Sequence, residues 1–248
     1  MISVSMKNEY STAKFLKEFN MDISVIGFGY IGSVIGAVLS DLGHKVIAID
    51  SNQVCIDDLN SGICRVPEPL LCEMIGSSVA SGLLSGSTSF GSVGDSDVIL
   101  VTVGTPLSDE FEADLSAIRD VFEKLSMFVR DGQIIMLKST VPPGVTRTLA
   151  HEYFEGRDNV FIGFSPERLA EGNAIHELKT LPIVVGGINS LSTKKCAEFW
   201  KKILGVEVIE VSTCEAAELV KLANNQWIDL NIALANELAI LCDSLPYD

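Results

Sequence analysis

From Asp22 onward the chain alternates short apolar runs with longer segments whose apolar positions recur at helical spacing. The runs at 23–26, 46–49, 98–103, 134–137, 160–162, 183–185 and 206–211 are each bounded by Gly or polar residues. Strands buried on both faces have this pattern. Helix-period stretches lie between them at 30–42, 52–60, 115–129, 145–155 and 190–203. Strand–helix alternation calls for right-handed crossovers, and so for a Rossmann-type α/β fold: a doubly wound, mostly parallel sheet.

The two ends of the chain differ from this middle. Residues 1–21 are polar and mixed, and Lys14, Phe15, Leu16 and Phe19 fit either a short amphipathic helix or a frayed extension. Beyond 211, Ser212 followed by Glu215 fits a capping box. The chain then runs to Asp243 without Gly or Pro, which predicts one long helix, well above the usual ~11–12 residues. A helix of that length connects a domain to something else or packs on a partner. The expected organisation is an N-terminal extension (1–21), a Rossmann-like domain (22–211) and the start of a connecting helix (212–248).

Charge and composition then narrow the partners. The 248 residues carry a net charge of −15, which argues against nucleic acid, because phosphate backbones are bound by a Lys/Arg surplus. A phosphorylated small molecule stays open, since helix N-termini and backbone amides hold a pyrophosphate locally. No apolar run approaches the ~20 residues of a membrane-spanning helix. The first twenty residues lack an apolar stretch followed by a small-residue cleavage site. A cytoplasmic protein that does not enter a membrane is expected. The six cysteines (Cys55, Cys64, Cys72, Cys196, Cys214, Cys242) form no C-x-x-C pair, and there are only three histidines. Neither a metal site nor a disulfide framework is expected.

The strongest local signal is Gly27-Phe28-Gly29-Tyr30-Ile31-Gly32, a G-x-G-x-x-G that follows a predicted strand and opens a predicted helix. In such a motif the first glycine makes the tight turn, the second admits a pyrophosphate, and the third lets helix and strand pack closely. Asp50 ends the next strand about twenty residues on, where a carboxylate accepts hydrogen bonds from both ribose hydroxyls and repels a 2′-phosphate. NAD is therefore favoured over NADP. Two Pro-stiffened turns, Val103-Gly104-Thr105-Pro106 and Ser139-Thr140-Val141-Pro142-Pro143-Gly144, stand at strand ends. Such ends form the ligand crevice of an open α/β sheet, so these turns either line the nicotinamide side or are ordinary loops.

Two clusters carry ionisable groups. In Ser165-Pro166-Glu167-Arg168-Leu169-Ala170-Glu171-Gly172 the two acids are four apart, and one turn of helix would place both on one face. They read either as a proton-accepting pair or as acids that complement a helix dipole. In the long helix Lys221 and Asn225 share a face, with Glu218 beside them, among Leu219, Val220, Leu222, Ala223 and Trp227. Lys221 therefore either snorkels or points into a cleft. There, with Asn225, it would stabilise an alkoxide as hydride leaves. Further on, Asp229, Asn231, Asn236 and Glu237 interrupt an apolar helix, and a buried dimer contact is favoured over substrate binding as the reason.

Taken together these clusters resemble the UDP-glucose/GDP-mannose dehydrogenase family. The resemblance runs from about Asp22 to Asp248, with the landmarks in order. They are the glycine loop, Asp50, Leu59-Asn60-Ser61-Gly62 followed by Glu68-Pro69, the Val103–Pro106 turn, Asp114, the Ser139–Gly144 turn, Ser165–Arg168 with Glu171-Gly172, Gly186-Gly187, and Glu218 through Lys221 to Asn225. The resemblance implies NAD-dependent oxidation of the 6-hydroxyl of a UDP-hexose to the uronic acid in two steps. The sugar would be UDP-glucose or a UDP-N-acetylhexosamine such as UDP-ManNAc, with a weak lean toward the latter. It implies NAD contacts at Gly27, Gly29, Tyr30, Ile31, Gly32, Asp50, Val103, Gly104, Thr105, Ser139 and Thr140. Thr140 would also stand near the substrate. Glu167 would act as a base through water, Glu171 near the substrate, and Lys221 and Asn225 on the oxyanion. A homodimer through the 212–243 helix is implied as well.

The family's aldehyde-capturing cysteine, in a segment of the form G-x-C-x-P-K-D, has no counterpart here, and Cys242 lies before its place. A C-terminal UDP-sugar domain is accordingly expected to be absent, with NAD binding retained and the oxidation not completed by this chain alone. Two rival readings remain. A 6-phosphogluconate or β-hydroxyacid dehydrogenase shares the Rossmann domain and a helix-borne Lys-x-x-x-Asn pair, but the Ser165–Glu167 cluster and the Val103–Pro106 turn argue against it. A non-catalytic NAD-binding or interaction module gains from the missing cysteine and loses from the intact Glu167, Lys221 and Asn225.

Overall fold

The computed structural model describes residues 20–110 and 112–245, so the reading of 1–21 as a helix or frayed extension lies almost wholly outside the described residues. The chain order is β1 (Asp22–Ile26), α1 (Tyr30–Asp41), β2 (Lys45–Ile49), α2 (Gln53–Asn60), α3 (Leu71–Ala80) and β3 (Leu84–Ser87). A 3-10 turn at Phe90–Asp95 leads to β4 (Val98–Val101), α4 (Ser116–Phe128), β5 (Ile134–Leu137), α5 (Val145–Phe154) and β6 (Phe161–Phe164). Then come α6 (Ala174–Thr180), β7 (Ile183–Gly187), α7 (Ser190–Leu204), β8 (Val208–Glu210) and α8 (Cys214–Asp243).

The strands form one sheet in the order β3-β2-β1-β4-β5-β6-β7-β8. Neighbours are parallel except β6 and β7, where Gly163 faces Gly187 and Phe164 faces Gly186. The centre of the sheet explains the apolar runs: every residue of β4 and β5 is buried, because helices cover both faces. On one face α1, α3, α6 and α7 pack Ile35, Leu39, Leu71, Ile75, Leu178 and Trp200 against the strands. On the other, α4, α5 and the start of α8 contribute Ile118, Phe122, Leu125, Leu149, Phe154 and Ala217. Each large side chain so buried contributes roughly 1.5–3 kcal/mol.

The elements that pattern reading missed are those with few buried positions. Strand β3 is Leu-Ser-Gly-Ser at a sheet edge, with Leu84 its one buried residue. Helix α3 holds Gly76 and two serines and starts after Leu70, whose φ of 67° is left-handed. Helix α6 is only seven residues long. The run expected at 98–103 ends as a strand at Val101, because Thr102 donates its hydroxyl to the carbonyls of Ile26 and Gly27 at 3.1 and 2.6 Å. The run at 206–211 contracts to Val208–Glu210.

The long helix is present, but its cap is not the expected one. Thr213, not Ser212, accepts the amide of Ala216 at 3.2 Å. Glu215 pairs with Arg147 at 2.5 and 3.1 Å, and chiefly that bond holds its carboxyl down at about 2. The helix starts hard against β7, where a Cβ on Gly186 would overlap the Thr213 carbonyl. Only Cys214, Ala217 and Glu218 of α8 are buried, and every described residue from 226 on is exposed. Among the described residues no helix is long and apolar enough to cross a membrane.

Candidate functional site

The glycine loop joins β1 to α1. Gly27 takes φ +86°, and a Cβ there would meet the amide nitrogen and Cγ1 of Val103 at 2.9 Å. A Cβ on Gly32 would overlap the Gly27 carbonyl oxygen, which already accepts the Thr102 hydroxyl. The loop is therefore closed on its sheet side. Gly29 is the reverse: it caps α1, has nothing within 4 Å of where a Cβ would stand, and no side-chain hydrogen bond caps the helix among the described residues. The free amides of that end are available to an anion. Asp50 follows β2, and its two oxygens accept the amides of Phe28 at 2.7 Å and Asn52 at 2.9 Å. Those bonds fix the carboxylate and leave each oxygen a further lone pair. Beside it is a hollow of about 140 Å³ lined by Gly27, Asp50, Ser51, Thr88, Phe90 and Val103 among others.

A larger cleft of about 360 Å³ opens next to this hollow at the carboxyl ends of the central strands. Tyr30, Ile31, Val103, Gly104, Thr105, Ser139, Thr140, Glu167, Glu171 and Lys221 line it, together with Thr102, Lys138 and Leu169. Most residues expected at the site thus share two adjoining spaces. Asn225 does not line the cleft and stands one turn beyond Lys221 on α8. The Thr105 hydroxyl donates to the Thr140 carbonyl at 2.7 Å and joins the two Pro-stiffened turns across the cleft floor.

The expected placement of Glu167 and Glu171 on one helical turn is incorrect. Residues 165–173 form a loop between β6 and α6, in which Glu167 folds back to accept the Leu169 amide at 2.5 Å. The two acids share the cleft because the loop wraps around it, not through an i, i+4 spacing. Glu218 is also misread from sequence as a companion of Lys221. It is fully buried and accepts the amides of Gly144 and Thr146 at 2.6 and 2.8 Å and the Thr146 hydroxyl at 2.6 Å. The carboxylate caps α5 from outside and pins α8, one turn before Lys221, to the turn that carries Thr140.

Sequence reading missed Lys138. Its side chain is buried, with Nζ 3.7 Å from Glu167, 3.2 Å from the Ser165 carbonyl and 5.2 Å from the centroid of the Trp200 ring. Burial pushes its pKa down, the Glu167 carboxylate opposes that, and the charge of Lys221 adds to it. Lys221 is half-buried and is lowered too, first by burial, with Glu167 again opposing. Two ammonium groups thus act on one carboxylate. A signal was there to be read: a lysine directly extends the buried run of β5, and a buried lysine requires a partner.

The arrangement fits a dinucleotide: a helix end with no side-chain cap for the pyrophosphate, a fixed carboxylate for a ribose, and a cleft floored by the Thr105 and Thr140 turns. The buried Ser139 Oγ, at that floor, has no hydrogen-bond partner among the described residues.

Comparison with known proteins agrees with this. Residues 21–204 match the NAD binding domain of the UDP-glucose/GDP-mannose dehydrogenase family, and residues 215–248 match its central domain. The UDP-N-acetyl-D-mannosamine dehydrogenase of Methanococcus maripaludis is 32% identical over 227 residues, 90% of this chain and 52% of that protein. The UDP-D-ManNAc dehydrogenase structure from Pyrococcus horikoshii superimposes with a TM-score of 0.83 at 27% identity, covering 89% of this chain and 54% of that one. The GDP-mannose dehydrogenase of Pseudomonas aeruginosa, solved as a ternary complex, gives 0.80 at 30% identity, with 87% and 51% covered. The chain spans about half the length of the curated relatives it matches. With both models matched in order over the residues that build the cleft, the chain belongs to the UDP-glucose/GDP-mannose dehydrogenase family.

Proposed function

We propose that this chain is the cofactor-binding half of a nucleotide-sugar 6-dehydrogenase that oxidises the 6-hydroxyl of a UDP-hexose to a carboxylate with NAD. The observation that carries the reading is one cleft holding Glu167, Glu171, Thr140 and Lys221 beside the open end of the glycine loop. Asp50 selects NAD by accepting ribose hydroxyls and repelling a 2′-phosphate. The Val103–Thr105 and Ser139–Thr140 turns shape the nicotinamide side. Glu167, paired with Lys138 and sharing the cleft with Lys221, takes up the hydroxyl proton through water, and Lys221 stabilises the oxyanion as the C–H bond breaks. Asn225 joins Lys221 only if substrate or a further part of the protein closes the cleft over that turn of α8. Bound NAD supplies the hydride acceptor in both oxidations.

The relatives named for UDP-N-acetyl-D-mannosamine support an N-acetylated sugar, with UDP-glucose the second candidate. A cytoplasmic location belongs to the same reading, which agrees with six free cysteines. Calorimetric titration of the chain with NAD, NADP and a panel of UDP-sugars tests it. NAD is expected to bind at least about tenfold tighter than NADP, a difference of about 1.4 kcal/mol. Equal affinity for the two cofactors, or none for NAD, would refute the assignment.

The exposed part of α8 supports a homodimer. Trp227, Ile228, Leu230, Ile232, Leu234 and Leu238 are all between 47% and 69% exposed, more apolar surface than a monomer normally leaves in contact with water. Among the described residues Asn231 binds its own helix alone, at the Trp227 carbonyl, 2.7 Å away. Sedimentation at micromolar concentration is expected to give a dimer, and a monomer there would remove this part of the proposal.

A further inference from the structure

Glu68 plays no part in the chemistry assigned to the cleft, yet it is 6% exposed and gathers bonds from two distant segments. Its Oε2 accepts the Tyr30 hydroxyl and the Gly172 amide, the latter at 2.7 Å. Its Oε1 accepts the amides of Ala174 at 2.8 Å and Ile175 at 3.5 Å. The Gly172 amide also lies 3.3 Å from the Tyr30 hydroxyl oxygen. Tyr30 is the first residue of α1, directly after Gly29. Gly172 follows Glu171, and Ala174 opens α6. One carboxylate therefore fastens the glycine loop to the loop that carries Glu167 and Glu171, across more than a hundred residues of sequence.

The protonation states keep this link closed. Burial alone would raise the Glu68 pKa, but the bonds from Tyr30, Gly172, Ile175 and Ala174 outweigh it and the carboxyl lies below its ordinary value. The Tyr30 hydroxyl is pushed up to about 12, by burial first and then by Glu68. Phenol and carboxylate thus persist through the neutral range, and the link responds to movement of its parts and not to pH.

We propose that Glu68 is a positioning residue that couples the two sides of the cleft: occupation of the glycine loop by NAD orders the Glu167–Glu171 loop for the sugar nucleotide. The inference rests on the NAD reading above. The physical route is short. A pyrophosphate on the α1 amides fixes the backbone at Gly29 and Tyr30, the Tyr30 hydroxyl is fixed with it, and Glu68 passes the constraint to Gly172 and Ala174. A carboxylate that merely capped α6 would need only the two α6 amides, so the Tyr30 bond distinguishes coupling from capping.

Hydrogen–deuterium exchange of the full chain, with and without saturating NAD, reads both segments at once. Calorimetry of the same samples reports whether NAD is bound. In the wild type NAD is expected to slow exchange at residues 27–33 and also at 168–176, the latter by about fivefold or more, the lower end of ordinary coupling energies. Tyr30→Phe removes only the hydroxyl. It should keep the slowing at 27–33 and lose it at 168–176. Glu68→Gln presents an amide to donors that need an acceptor, and should speed exchange at 172–176 whether or not NAD is present. If Tyr30→Phe retains the full NAD effect at 168–176, or the NAD-bound wild type shows none there, Glu68 is a helix cap only and the coupling is wrong. Absence of NAD binding by the wild type would instead overturn the cofactor assignment, and the coupling with it.

Discussion

Glu218→Ala is expected to destabilise the chain by about 3–5 kcal/mol, although Glu218 touches neither ligand site. The carboxylate is fully buried and receives three donors, the Gly144 and Thr146 amides and the Thr146 hydroxyl. Alanine leaves those donors without an acceptor, at roughly 1–3 kcal/mol for each that water does not reach, together with the cavity of the lost side chain. At about 2–4 °C per kcal/mol for a chain of this size, the melting temperature should fall by about 10 °C. Glu218→Gln keeps one acceptor oxygen and should lose less, about 1–3 kcal/mol. Calorimetric melting of the three proteins checks the order. A melting temperature for Glu218→Ala within about 2 °C of the wild type would mean that water replaces the carboxylate at α5. The consequence reaches function, because the same bond sets where α8 leaves the sheet. Lys221 is one turn further on, and without the anchor its ammonium is no longer held in the cleft that it shares with Glu167.

Asp50→Ala should weaken NAD binding by about 100-fold, the loss of one or two hydrogen bonds to a charged group. The substitution has a second effect to be separated from the first, because Asp50 also accepts the Phe28 and Asn52 amides and so shapes the loop itself. NADP supplies the control. A loop that has merely collapsed binds both cofactors worse. Loss of the carboxylate alone weakens NAD and leaves NADP unchanged or tighter, since the charge that repels the 2′-phosphate has gone. Titration calorimetry with both cofactors reads the difference. An NAD affinity within about threefold of the wild type, less than 1 kcal/mol, would show that Asp50 holds the loop and not the ribose.

The central sheet and the glycine loop were legible because their causes are local. β2, β4 and β5 lie between helix layers and read as apolar runs, and so does β1 apart from its buried Ser24. Gly27 and Gly32 were legible because the turn and the close approach at that point tolerate no side chain. The strand β3 and the helix α6 were not legible, since one or a few buried positions do not make a period. The pairing of Glu167 with Glu171 was expected for the wrong reason: the spacing suggests a helical turn, while the chain there is a loop in which Glu167 folds back to the Leu169 amide.

Three buried charges mark what local sequence could not resolve. Lys138 stands between a strand and a turn, Glu68 in a loop and Glu218 on a helix, and nothing nearby in sequence names their partners. Those partners lie 29, 38 and 72 or more residues away, at Glu167, Tyr30 and Thr146. By itself the sequence determined the layers and the family landmarks, because apolar periodicity and backbone tolerance act over a few residues. Only the tertiary structure decided which charges share a low-dielectric space. That depends on crossovers that bring the ends of distant strands together, and burial then obliges each ionised group to find whatever donor or counter-charge the fold has placed within reach.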